Sequence, residues 1–290
     1  MSLFVFGLGY SARAFVDRER RRFDRMVATV TSAEKAERLA AECIDARVFG
    51  PEGRDPRIPD DLRDARALLV SIPPGEDGDP ALAAYADAIA AAPRLAWIGY
   101  LSTVGVYGDH GGAWIDEATP PSPTSARSRS RLAAEEAWLA LGRRAGKPVQ
   151  VFRLAGIYGP RRNPLAQLAA GTATRIVKPG QVFNRIHVDD IAAALAASID
   201  RPRAGAVYNV ADDEPAPPQD VVAHAARLAG VEPPPEIPFD QASLSPMARS
   251  FYAETKRVSN RLLKQELGLT LRYPTYREGL AALRTAGEGP

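Results

Sequence analysis

The first twelve residues of the chain combine a strand pattern with a tightly spaced glycine motif. Leu3 to Phe6 is continuously apolar, and Gly7, Gly9 and Ala12 follow at the spacing G-x-G-x-x-G/A. A strand, a glycine turn and a helix in this order are typical of a dinucleotide-binding loop, because N–H groups at a helix start attract phosphates. Gly7 would permit the turn, and Gly9 would let the backbone approach a pyrophosphate. A purely structural glycine turn is the alternative.

Apolar runs alternate with helix-like segments beyond this motif. Strands are predicted at 26–30, 46–49, 67–72, 95–101, 149–154 and 206–210, and helices at 12–22, 33–42, 80–91, 131–144, 188–198 and 221–228. Such alternation predicts an α/β protein with a doubly wound, mainly parallel sheet. We expect a dinucleotide-binding domain over 1–170 and a smaller mixed lobe over 171–290, interleaved with the sheet. Residues 285–290 are predicted to be a frayed tail.

Composition excludes several other classes of protein. The net charge is +2 over 290 residues, which argues against nucleic-acid and membrane-surface roles. No run reaches the roughly 20 apolar residues of a membrane span, and no signal peptide is visible. The single cysteine, Cys43, excludes an internal disulfide and is expected to be an inert packed thiol in a cytoplasmic protein. With three histidines, no metal site is expected.

Four further motifs occur in a fixed order. They are Tyr100 to Gly108 (YLSTVGVYG), Arg153 to Pro160 (RLAGIYGP), His187 to Asp190 (HVDD) and Tyr208 to Val210 (YNV). Together they resemble the extended and atypical branches of the short-chain dehydrogenase/reductase superfamily, which are similar to NAD-dependent epimerases and dehydratases. The resemblance implies an NAD(P)-binding Rossmann fold, an oxidoreductase or epimerase activity, and a homodimer by analogy.

The resemblance also implies an altered active site. Thr103 stands where the family has the hydroxyl that holds the substrate carbonyl, although a satisfied strand-end threonine is the alternative. The family's Tyr-x-x-x-Lys pair follows about two dozen residues later, where this chain has Arg127 and Arg131. Arginine has no proton to give near neutral pH, so Arg127 could bind an anion but could not act as the usual acid. Tyr107, a water or the substrate would then supply the proton.

The end of the second strand bears on the choice of coenzyme. A carboxylate there would bind the ribose hydroxyls of NAD, but the chain offers Thr31 and Ser32 followed by Lys35. Hydroxyls beside a cation suit a ribose phosphate, so NADP is favoured over NAD. The expected coenzyme contacts, including those that the resemblance implies, are Gly7, Gly9, Tyr10, Ser11, Ser32, Lys35, Ser71, Ile72, Pro73, Arg131 and Ile157.

The function that these observations favour is an NAD(P)-binding oxidoreductase or epimerase-like enzyme for a small polar or anionic substrate. The arginines at 127 and 131 could also be no more than a solvated basic helix start. The loss of the usual tyrosine keeps a second function open. This is a non-catalytic NADP-binding regulator or sensor that retains the coenzyme site.

Overall fold

A computed structural model describes residues 1–42 and 44–290, so the prediction for Cys43 lies outside the described residues. The strands are β1 (Ser2–Phe6), β2 (Arg25–Val30), β3 (Asp45–Gly50), β4 (Gly53–Arg54), β5 (Ala67–Val70), β6 (Trp97–Thr103), β7 (Trp114–Ile115), β8 (Val149–Leu154), β9 (Gly156–Tyr158), β10 (Arg175–Val177), β11 (Arg185–His187), β12 (Val207–Val210), β13 (Glu236–Pro238) and β14 (Arg257–Val258). The helices are α1 (Tyr10–Glu19), α2 (Ala33–Ala41), α3 (Ile58–Asp64), α4 (Pro80–Ala91), α5 (Ala126–Ala145), α6 (Pro164–Ala169), α7 (Val188–Asp200), α8 (Pro218–Ala229), α9 (Pro246–Phe251), α10 (Arg261–Leu267) and α11 (Tyr276–Thr285).

The central sheet confirms the predicted α/β fold. Among the described residues eight strands follow the order β12-β8-β6-β5-β1-β2-β3-β4. β1 pairs in parallel with both β2 and β5, the pairs β2–β3 and β5–β6 are also parallel, and β4 runs antiparallel to β3. The chain order reverses between β1 and β5, and folds of this kind bind ligands beyond the carboxyl ends of the strands at such a point. The glycine turn follows β1 and therefore lies at this point.

The apolar run of β1 reflects burial on both faces of the sheet. Phe4 is 1% exposed and Phe6 is fully buried, as expected for an inner parallel strand covered by helices on both sides. The Phe6 ring stacks on Tyr85 of α4 with centroids 5.8 Å apart, and it lies 5.5 Å from the Phe49 ring of β3. These contacts hold the strand that carries the glycine turn.

The described chain divides into two compact units that interleave along the sequence. The first unit contains Met1–Thr103, Arg127–Arg153 and Ala192–Tyr208, and the second contains Val104–Ala126, Leu154–Ile191 and Asn209–Pro290. No helix in the described part of the chain has the length and apolarity that a membrane span needs.

The carboxyl-terminal segment is ordered by contacts within the second unit, so the prediction of a frayed tail is wrong. The Glu288 carboxylate accepts hydrogen bonds from the backbone N–H of Arg161 at 2.8 Å and from the buried side-chain amide of Asn163 at 3.2 Å. Arg284 donates to the carbonyl oxygen of Pro290 at 2.7 Å. Arg161 has a φ of 61°, a conformation that costs free energy in a residue other than glycine, and the Glu288 contact stabilises it.

We expect Glu288→Ala to reduce the free energy of unfolding by about 1 kcal/mol, because backbone and amide donors lose their acceptor. Hydrogen exchange should show faster exchange of the Arg161 amide than in the wild type. Glu232→Ala, which changes another exposed carboxylate, is the control and should leave this amide unaffected. Unchanged exchange at Arg161 in Glu288→Ala would contradict the role given to the tail.

Candidate coenzyme site and its surroundings

The turn after β1 requires glycine at its first position. Gly7 has a φ of 85°, a left-handed conformation that favours glycine. A Cβ atom added there would lie 2.4 Å from Cγ2 of Ile72 and 3.2 Å from its backbone nitrogen. The residues that follow β5 therefore press against the glycine turn, and any side chain at position 7 would disturb both segments.

Thr29 of β2 holds the glycine turn from its other side. The backbone N–H of Gly7 donates to Thr29 Oγ1 at 2.9 Å, and the N–H of Leu8 donates to the Thr29 carbonyl oxygen at 3.2 Å. Thr29 is only 1% exposed. Thr29 was not predicted as a site residue, although a hydroxyl within an otherwise apolar strand is a signal of a buried hydrogen-bond partner.

Gly9 differs from Gly7 because nothing in the described protein requires glycine there. The only atom within 4 Å of a Cβ added at Gly9 is Ser71 Oγ, at 3.9 Å, which is ordinary contact. Gly9 is the N-cap of α1 and provides no side-chain cap, and the first turn of α1 contains no acidic residue. A helix start without a side-chain cap fits a diphosphate, whose charge complements the helix dipole.

The end of β2 holds a carboxylate that the sequence analysis did not place there. Ser32 caps α2 by accepting from the Lys35 N–H at 3.4 Å, and Lys35 Nζ donates to Thr31 Oγ1 at 3.0 Å. The Ala33 N–H donates to Oε2 of Glu52 at 3.2 Å. NADP was favoured over NAD on the premise that no carboxylate lies at this strand end, and the position of Glu52 contradicts that premise.

The predicted catalytic residues of the first unit lie on β6 and α5. Thr103 is the last residue of β6 and is half-buried, whereas Arg127 is exposed in the first turn of α5. Arg131 lies one turn further on, where its Nη1 donates to the Leu101 carbonyl oxygen at 2.9 Å and contacts the Tyr100 hydroxyl at 3.3 Å. Arg131 is thus anchored to the end of β6, while Arg127 keeps its charge at the surface.

A buried ion pair ties α5 to the neighbouring strands. Glu135 of α5 binds Arg153 of β8 at 2.8 Å, and the two side chains are 2% and 7% exposed. Ser102 of β6 donates its hydroxyl to the same carboxylate. This network sets the position of α5, and with it that of Arg127 and Arg131, against β6 and β8.

Tyr107 and Ile157 belong to the second unit. The Tyr107 side chain is fully buried and its hydroxyl donates to Asn209 Oδ1 at 2.8 Å. This burial favours an anchoring role over the proton-donor role that the sequence also allowed. Ile157 is half-buried in β9, where it pairs with Ile186 of β11.

His187 is a scaffold residue of the second unit. Its ring contacts those of Tyr158 and Tyr273 at centroid distances of 5.1 and 4.2 Å. Its Nδ1 accepts a hydrogen bond from the Asp189 N–H at 3.1 Å. Burial lowers the pKa of His187 to about 4, so the ring is neutral at neutral pH.

Asp212 is the most strongly perturbed acid in the described part of the second unit. It is 2% exposed, its Oδ1 accepts from the Glu214 N–H at 3.2 Å, and its Oδ2 has no hydrogen-bond partner among the described residues. Burial raises its pKa to about 8, although the charge of Arg185 acts in the opposite direction. The folded protein therefore keeps this proton at neutral pH.

The raised pKa predicts a pH-dependent stability. The unfolded chain releases the Asp212 proton near its ordinary pKa of 3.8, so stability falls as the pH rises from there towards about 8. We expect Asp212→Asn to be more stable than the wild type, and the difference to be about 4 kcal/mol larger at pH 8 than at pH 5. Urea unfolding measures this difference, with the exposed Asp240→Asn as the control. An equal difference at both pH values would contradict the assignment.

Comparisons with known proteins give a family match for part of the chain and a solved structure similar to nearly all of it. Residues 86–211 match the NAD dependent epimerase/dehydratase family. A solved structure of a functionally unknown conserved protein from Silicibacter pomeroyi DSS is 50% identical with a TM-score of 0.89, and the alignment covers 99% of both chains.

Curated proteins also match part of the chain. Protein YeeZ from Escherichia coli (strain K12) is 34% identical over 183 residues, which cover 60% of this chain and 63% of that protein. The 3-diazoavenalumate denitrifying reductase of Streptomyces sp is 28% identical over 184 residues, which cover 57% of this chain and 58% of that protein. The chain therefore spans less than two thirds of the length of either curated relative.

The family match agrees with the geometry described above. A glycine turn at the point where the strand order reverses, an uncapped α1 and the motifs of β6, β9 and β11 occur together in one α/β chain. The structure from Silicibacter pomeroyi DSS is similar over nearly the whole chain, and its function is unknown. Residues 86–211 of the chain form a domain that matches the NAD dependent epimerase/dehydratase family.

Proposed function

We propose that the chain binds a nicotinamide dinucleotide at the glycine turn and acts as an oxidoreductase or epimerase-like enzyme on a small polar or anionic substrate. The observation that carries this proposal is the contrast between Gly7 and Gly9. A side chain at position 7 would clash with Ile72, whereas a Cβ at position 9 would make only ordinary contact with Ser71 Oγ, beside a helix start that has no side-chain cap. A close approach of a diphosphate to the backbone gives a physical reason for a glycine that the fold itself does not need.

Residues of the first unit would hold the coenzyme. The N–H groups at the start of α1, from Gly9 to Ser11, would bind the diphosphate, and Ser32 and Lys35 would contact the adenosine ribose. Ser71, Ile72 and Pro73 follow β5 beside the turn. Arg131, bound to the end of β6, is a further contact that the family resemblance suggests.

The bound coenzyme would supply hydride exchange with a carbon of the substrate. Thr103 would donate a hydrogen bond to the substrate oxygen, and the guanidinium of Arg127 would attract a negatively charged substrate. Arg127 would not transfer the proton, because a guanidinium stays charged at neutral pH. The reductase among the relatives supports a reduction as the reaction to test first.

A non-catalytic nucleotide-binding function is the second candidate. Catalysis in this family normally uses a tyrosine as the proton donor. The chain has an exposed arginine at position 127 in its place, and the Tyr107 hydroxyl is buried against Asn209. A protein of this kind would bind the coenzyme and respond to it without turnover.

One experiment tests the proposal and separates the two candidates. The purified chain is titrated with NADH and NADPH by calorimetry, and the complex is mixed with aldehydes, ketones, sugars and sugar nucleotides. Loss of absorbance at the nicotinamide band, or conversion of any of these compounds to a new product without net coenzyme consumption, supports the enzyme. Binding with neither coenzyme consumption nor a new product across the panel supports the regulator, and absence of binding contradicts both.

A further inference from the structure

The hairpin that joins β3 to β4 carries an acidic residue to the end of β2. Gly50 pairs with Gly53 across this hairpin, and Pro51 and Glu52 form its tip. Because β2 and β3 run parallel, their carboxyl ends lie at the same edge of the sheet. Glu52 is therefore presented at the edge where β2 ends and α2 begins.

The hairpin is held close to β2. A Cβ atom added at Gly50 would lie 3.3 Å from Cα of Thr31, so glycine permits this close approach. Oε2 of Glu52 accepts from the Ala33 N–H at 3.2 Å, in the first turn of α2. The carboxylate thus occupies the position at the helix start that attracts an anion.

This position matters because the adenosine ribose of a dinucleotide lies at the end of the second strand in folds of this type. A carboxylate accepts hydrogen bonds from both ribose hydroxyls, whereas it repels a phosphate on the 2′ oxygen. We propose that Glu52, supplied by the β3–β4 hairpin, determines coenzyme specificity and selects NAD over NADP. This inference rests on the proposed function and reverses the preference expected from the sequence.

Lys35 provides the opposing charge. Its Nζ donates a hydrogen bond to Thr31 Oγ1 at 3.0 Å. Lys35 lies in the first turn of α2, the same turn whose Ala33 N–H binds Glu52. With the carboxylate present, a 2′-phosphate would be attracted by Lys35 and repelled by Glu52, and it would have to displace Glu52 from the Ala33 N–H. With a neutral side chain at position 52, the cation and the helix start are both available to the phosphate.

Dissociation constants for NAD and NADP, measured by calorimetry on the full chain, test this inference. We expect the wild type to bind NAD at least about tenfold more tightly than NADP, and Glu52→Gln to shift the ratio towards NADP by about tenfold or more. Glu34→Gln, which removes an exposed carboxylate from the first turn of α2, is the matched control and should keep the wild-type ratio. Adding Lys35→Ala to Glu52→Gln should abolish the gain in NADP affinity.

The outcomes distinguish the inference from the function on which it rests. A wild type that binds neither coenzyme overturns the proposed function together with the inference. A wild type that prefers NADP, or a Glu52→Gln variant with an unchanged ratio, overturns the inference alone. An equal shift in Glu34→Gln would also overturn it, because any carboxylate near α2 would then have the same effect.

Discussion

Replacing Glu135 by alanine is expected to reduce the free energy of unfolding by about 3–5 kcal/mol. The reason is that Arg153, whose side chain is 7% exposed, would keep its charge without the carboxylate that binds it at 2.8 Å. The Ser102 hydroxyl would lose its acceptor as well. Urea unfolding followed by circular dichroism measures the loss.

Two further variants make this prediction specific. Glu136→Ala changes the exposed neighbour on the same helix and should stay within about 0.5 kcal/mol of the wild type. Replacing Glu135 by leucine and Arg153 by methionine together should recover much of the loss, because no unpaired charge remains buried. A Glu135→Ala variant as stable as Glu136→Ala would show that the pair does not hold α5.

Replacing Gly9 by aspartate is expected to weaken coenzyme binding by at least about 100-fold, or about 2.7 kcal/mol. The new carboxylate would lie at the start of α1, where it would repel the diphosphate and occupy the N–H groups that bind it. The fold should tolerate the change, because the nearest atom to a Cβ at this position is Ser71 Oγ, at 3.9 Å. Calorimetric titration with NAD and NADP measures the effect.

Gly9→Ala is the matched control for this experiment. It adds a methyl group without charge, so its melting temperature should equal that of the wild type and its affinity should fall less than that of the aspartate variant. Gly7→Ala should instead lower the melting temperature, because its Cβ would lie 2.4 Å from Ile72 Cγ2. Full coenzyme affinity in Gly9→Asp would refute the placement of the diphosphate.

The sheet was largely predictable because its inner strands are buried on both faces. Such strands are continuous apolar runs, and β1 and β5 were recognised by this pattern. The start of α5 was predicted five positions too late, since Ala126 to Ser130 lacks apolar periodicity. α11 was missed although Thr275 and Glu278 form a capping box at its start.

The candidate site was predictable only in part. The glycine turn after β1 and the hydroxyl and lysine after β2 could be predicted as coenzyme contacts, because each group lies within a short strand-turn-helix segment of its own. Glu52 was not found, since it lies 19 positions beyond Ala33 and reaches that residue across a hairpin. The Glu288 contact with Arg161 spans 127 positions and carried no local signal.

The order of residues was sufficient to establish the strand, the glycine turn and the helix, because backbone conformation and burial in this segment follow from neighbours a few positions apart. The folded sheet was needed to show why Gly7 is required, which groups hold the turn, and that a carboxylate stands at the end of β2. Thr29, Ile72 and Glu52 come from three different strands or their loops. Pairing between distant strands sets their positions, and that pairing depends on how the whole core packs.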